Sequence, residues 1–199
     1  MLAGLVYRGN MVTLPVYMEE NANVLTGWLN QQSWIGVDSV MGKGGSEKTL
    51  GATLLMSLAF LIGIAGQKIG GFVADRYDLR KAYFTFFALA LPVTISMAFL
   101  EGWGLVAAAT LFVILTLGMQ PVENSLVAML TPTQWRARAY GMKFILTFGV
   151  GACAVWVVTG VREMWGTPVV YLALGGIVVL LLTSIVGLMV VSRGISMRH

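Results

Sequence analysis

The sequence predicts an all-α integral membrane protein, and three observations carry that reading. Of 199 residues, 57% are hydrophobic and 11% charged, with a mean hydropathy of +0.80; soluble domains carry about 25% charged residues. Apolar runs approaching or exceeding the roughly 20 residues that span a bilayer recur along the chain. The basic residues gather between those runs, as the orientation rule for membrane helices demands. A net charge of +4 and a pI near 9.4 would suggest nucleic acid in a soluble chain, but this placement implies no nucleic-acid partner. The lone Cys153 lies inside an apolar run, so no internal disulfide can form. Residues 1–30 show no basic region ahead of an apolar core and no small-residue cleavage site, so no removable signal peptide is expected.

Taken in order, residues 1–18 form an apolar but partial helix, interrupted by Arg8, Asn10 and Pro15. Residues 19–48 mix Asn, Gln, Ser and Gly with Trp28 and Trp34, and read as a long outside loop whose tryptophans sit at the membrane interface. Lys43 and the glycines after it make a flexible turn, since no strand precedes them as a phosphate loop requires. Residues 49–100 hold the second helix (50–74) and the third (82–100, with a kink expected at Pro92). Gly66 and Gly70 give the second helix a small-x-x-x-small seam for close packing. Lys68 on that helix either snorkels to the surface or points into a cavity.

Residues 104–161 hold the fourth helix (105–130) and the fifth (141–161), joined by a basic link at 131–143. Pro121 is expected to break the fourth helix. Gly149 and Gly151 give the fifth a second close-packing or flexing seam. Residues 162–168 turn the chain, residues 167–192 hold a nearly all-aliphatic sixth helix, and the tail ends with Arg193 and Arg198. Arg76, Arg80, Lys81, Arg136, Arg138, Lys143, Arg193 and Arg198 fall on one side, against Lys43, Lys48 and Arg162 with several acids on the other. The first side is expected to be cytoplasmic, in a multi-pass protein of the cell membrane with its C-terminus inside.

The link at 71–81, with Gly71, Asp75, Arg76, Arg80 and Lys81, reads as a charged hairpin between two membrane helices. It resembles the loop signature of the major facilitator superfamily, which recurs after the second and eighth helices of those transporters. Asp78 stands where the family usually has glycine, and Leu79 where it usually has a basic residue. Such departures are commoner in the second copy of the signature, which implies the C-terminal half. Pro132, Arg136 and Gly141 are similar to the family's link between its tenth and eleventh helices. Tyr7, Arg8, Gly9 and then Leu14, Pro15 and Tyr17 resemble the later part of its seventh helix. The resemblance covers the chain and implies a six-helix half of a major facilitator fold, built from two inverted three-helix repeats. The first members of the two triplets each carry proline and polar residues: Arg8, Asn10 and Pro15 in one, Gln120, Pro121 and Glu123 in the other.

The function implied is transport of a small solute by alternating access, with the chain inactive alone and partnered by an N-terminal six-helix half. A stand-alone dimerising six-helix protein and a non-transporting scaffold are the alternatives. In the facilitator scheme Asp75 and Arg80 are gating residues that hold helix ends in one state. Tyr7, Arg8, Asn10, Glu123 and Asn124 are the candidate substrate or proton site, because polar groups inside spans are costly and functional by default. Arg8 suits an anionic solute; Glu123 suits a proton or a cation, or forms an ion pair with Arg136, Arg138 or Lys143. No enzyme is expected, since His199 is terminal and the spans hold one carboxylate, too few groups for intramembrane proteolysis. No cofactor is implied.

Overall fold

The computed structural model describes residues 2–21 and 47–191. They form six α-helices: α1 (Leu2–Asn21), α2 (Glu47–Arg76), α3 (Leu79–Ser96), α4 (Gly102–Leu130), α5 (Arg136–Trp165) and α6 (Thr167–Val191). Four described stretches are long and apolar enough to cross a membrane: Thr53–Arg76, Gly102–Leu130, Thr133–Trp165 and Thr167–Val191. This is the make-up of a multi-pass membrane protein. α1 and α3 fall outside that set for a readable reason. α1 carries Arg8 with two glutamates, and α3 opens on Arg80 and Lys81. The interface expected at Trp28 and Trp34, the turn at Lys43 and the basic tail lie outside the described residues.

The helices outrun the apolar periods that announced them. α1 continues past Met18 through Glu19 and Glu20 and is uninterrupted at Arg8, Asn10 or Pro15. α4 likewise runs through Pro121 without breaking, because a single missing N–H removes one rung of a ladder that packing on both sides maintains. The stretch 71–81 is mostly helix. α2 extends to Arg76, only Tyr77 and Asp78 intervene, and α3 begins at Leu79. Asp78 sets that start: its Oδ1 accepts hydrogen bonds from the backbone N–H of Arg80 (2.9 Å) and Lys81 (3.3 Å), an N-cap. α4 stops at Thr131, extended (φ −112°, ψ 127°) as a residue before proline must be. α5 runs to Trp165 and ends on Gly166, whose φ of 86° suits glycine and whose N–H bonds the carbonyl of Arg162 at 2.8 Å.

Two glycine seams set how closely the helices approach. On α2 the stripe Gly63, Gly66, Gly70 faces α4. A Cβ at Gly63 would stand 2.7 Å from side chains of Val113 and Leu117, and one at Gly66 or Gly70 would strike the carbonyl oxygens of Ile114 or Gly118. On the other side of the bundle, α1 packs on α5 and α6. There a Cβ at Gly4 would lie 2.8 Å from Thr147 and one at Gly9 2.7 Å from Leu174. Close backbone approach of this kind is how membrane helices gain packing without a hydrophobic driving force. α3 lies against α4 and α6, and α1 also touches α2.

The core runs through α1, α3, α4 and α6, with Tyr171, Phe87, Phe112, Leu14 and Met18 among its fully buried side chains. α1 is the most enclosed helix; of its described side chains only Glu20 is exposed. α5 is the opposite case, burying only Gly151, Ala154 and Val158 and turning large apolar residues such as Trp156 outward. In water that would be a liability; a lipid-facing helix has no such cost.

A cavity between α1, α4 and α5

About two turns before α4 ends, Gln120, Glu123 and Asn124 project toward the first two turns of α1. α5 closes the third side. The cavity between them, open where Asn124, Phe144 and Phe148 are exposed, is about 180 Å³ and is lined by Tyr7 and Arg8 from α1, Met119, Gln120, Glu123 and Asn124 from α4, and Lys143, Phe144, Thr147 and Phe148 from α5, with Ala3 and Gly4 at one wall. The helix period explains the convergence. Positions 120, 123 and 124, and positions 144, 147 and 148, each fall on one face at spacings of three and four.

Three charged groups meet there. Lys143 Nζ stands 3.4 Å from Glu123 Oε1 and donates a 2.6 Å hydrogen bond to Asn124 Oδ1. Of the three partners weighed for Glu123, Lys143 is the one seated beside it. Both side chains of the pair are less than a quarter exposed, at 17% and 20%, so the carboxylate is neutralised in a poorly solvated place. Arg8 has no ion pair among the described residues. Its guanidinium carbon lies 5.3 Å from the centre of the Phe148 ring, within reach of a cation–π attraction. Its stem runs over Gly151, where a Cβ would stand 2.7 Å from the arginine Cγ. Glycine at 151 thus makes room for the arginine. Tyr140 Oη completes the α4–α5 tie by donating 2.8 Å to the carbonyl oxygen of Asn124.

Four of the five candidate site residues, Tyr7, Arg8, Glu123 and Asn124, line this one cavity. Asn10 does not. It is 2% exposed and its amide faces the Met97 thioether at 4.0 Å, a weak contact in the core. Lys143, Gln120, Thr147 and the two phenylalanines were not singled out as site residues by the sequence. Lys143 sits near a helix start, where a lysine ordinarily reads as an interfacial charge, and the phenylalanines carry no polar signal.

Of the residues of the two basic links, Lys143 alone lines this cavity. Arg76 lies 4.2 Å over the Phe72 ring of its own helix, Asp75 is exposed, and Arg80 is buried. Arg136, beyond the end of α4, donates from Nε to the carbonyls of Ala128 (3.1 Å) and Thr131 (3.4 Å), a cation on a helix C-terminus. Pro132 precedes the one-turn 3-10 helix Thr133–Trp135, over which Arg138 stacks on Trp135 at 4.6 Å. Gly71 and Gly141 have open space where a side chain would go. Lys68 is exposed.

The opposite end of the bundle carries a second recess, about 620 Å³, bordered by Tyr17, Glu20, Phe99, Glu101, Arg162 and Thr167 among others. Glu20 clasps it shut on one side. Its Oε1 takes a 2.7 Å charge-assisted bond from Arg162, and its Oε2 accepts from the Thr167 hydroxyl at 3.0 Å. The end of α1 is thereby tied to the turn between α5 and α6. No family model matches the chain, and no curated protein matches it.

Proposed function

We propose that this chain is the C-terminal six-helix half of a major facilitator type secondary transporter, moving a small solute by alternating access together with an N-terminal half. The observation that carries the reading is the cavity. It gathers Tyr7, Arg8, Glu123 and Asn124 between three helices of a membrane protein, where polar groups are otherwise avoided. The helix pairing supports the inverted repeat. Exchanging α1, α2, α3 for α4, α5, α6 turns the pair α2 with α4 into α5 with α1, and α3 with α4 into α6 with α1. Each of these pairs is in contact. In this scheme the basic links at 76–81 and 131–143 face the cytoplasm of the cell membrane. Asp75 and Arg80 act at the closing of that side, and the Glu20 clasp holds the other.

The test has two parts. The mass of the natural gene product and the frame upstream of Met1 should reveal six further apolar segments, in the same chain or in a separately encoded partner. In that gene product, with Cys153 and any cysteine of the other half replaced by serine, Thr147→Cys should react with a membrane-impermeant maleimide from one side of the membrane, and a transported solute should change which side. A natural product of 21.4 kDa with no six-helix partner, or labelling that no solute shifts in sidedness, would overturn the proposal.

A further inference from the structure

We infer that the solute of this cavity is a small organic monoanion, a carboxylate gripped by Arg8, with its apolar body among Tyr7, Phe144 and Phe148. The inference rests on the reading of the cavity as a solute site and adds its charge. Arg8 and Lys143 supply two positive charges and Glu123 one negative, so the lining carries one cation in excess. The excess belongs to Arg8. Lys143 is committed to Glu123 at 3.4 Å and Asn124 at 2.6 Å, so a cationic solute would have to break that pair to reach the carboxylate. A neutral solute would leave the guanidinium without an acceptor for its charge. The guanidinium has five N–H donors in a fixed fork that matches a carboxylate edge to edge. The guanidinium carbon stands over the Phe148 ring at 5.3 Å, and no ion pair among the described residues engages it. The stem packed over Gly151 aims the head. One unbalanced charge suits a monoanion better than a dianion, and three aromatic rings suit an apolar body.

The probes are benzoate, benzamide and benzylammonium, alike in shape and differing in charge. Binding is measured on the gene product at its natural length in nanodiscs of phosphatidylcholine, which offers no net anionic headgroup. Benzoate should bind saturably and at least tenfold tighter than either analogue. Arg8→Gln should weaken benzoate at least tenfold and leave benzamide unchanged. Arg8→Lys, which keeps the charge but loses the fork, should fall between them while still preferring the anion, and serves if the glutamine variant does not fold. Absence of saturable benzoate binding, equal or tighter binding of benzamide or benzylammonium, or an indifferent and folded Arg8→Gln each overturns the proposal. So does loss of benzoate binding on adding phosphatidylglycerol, which would make a lipid headgroup the anion. Benzoate binding without a change in sidedness at Thr147→Cys would leave the anion site standing and remove transport; sidedness driven by benzylammonium alone would do the reverse.

Discussion

Gly70 and Gly71 are neighbours on one helix, and the packing assigns them opposite consequences. A Cβ at Gly70 would strike the carbonyl oxygen of Gly118 and lie 2.6 Å from its carbonyl carbon; one at Gly71 would meet nothing within 4 Å. Carbon atoms pack best at about 3.5–4.0 Å, so Gly70→Ala must part α2 from α4 by about 1 Å. The obstacle is backbone and cannot swing aside, and overpacking of that kind costs about 1–3 kcal/mol. Alanine returns about 0.5–1 kcal/mol of helix propensity at either position. The expected net is a loss of about 1–2 kcal/mol for Gly70→Ala and a gain of about 0.5–1 for Gly71→Ala.

At roughly 2–4 °C per kcal/mol for a chain of this length, Gly70→Ala should lower the midpoint of thermal unfolding in detergent by about 2–8 °C, and Gly71→Ala should raise it by about 1–4 °C. Gly66→Ala, whose Cβ would strike the Ile114 carbonyl, should behave like Gly70→Ala. Equal shifts at 70 and 71, or a neutral Gly70→Ala, would refute the seam.

Three further outcomes follow from the same geometry. Asp78→Ala should lose about 1 kcal/mol with the N-cap of α3, and Asp78→Ser should restore most of it, read as midpoint shifts. Glu123→Gln and Lys143→Gln should each destabilise, and a double-mutant cycle should return a coupling of about 0.5–3 kcal/mol; zero coupling would mean the 3.4 Å pair contributes nothing. Glu20→Ala should cost no more than about 1 kcal/mol, since its side chain is 43% exposed and surface pairs are weak, and that loss should shrink in 1 M salt as screening removes the charged part.

What the sequence made legible divides by the physics behind each feature. The helices were readable because apolar length is a property of each segment by itself. Their ends were not: α5 begins at Arg136 and not near Gly141, since charged residues extend a helix at no cost once outside the lipid, and hydropathy registers only the lipid. The family pattern treats Asp78 as a departure from glycine, yet the local chemistry makes it the cap that starts α3; an Asp two residues ahead of Arg80 was itself a signal. The cavity was half legible. Polarity on α1 and α4 announced Tyr7, Arg8, Glu123 and Asn124, but composition cannot tell which polar residues share a cavity, and Asn10 lies buried outside this one.

The charge conflict between Arg8 and Glu123 could not be resolved along the chain, because its resolution lies across it. Lys143 is twenty residues beyond Glu123 in sequence and 3.4 Å from it in space. With that lysine beside the carboxylate, the two opposed readings meet in one cavity whose lining carries two cations and one anion. A group that reads as a proton carrier in isolation stands in an ion pair with Lys143, and the arginine rests on Phe148 with no ion pair among the described residues.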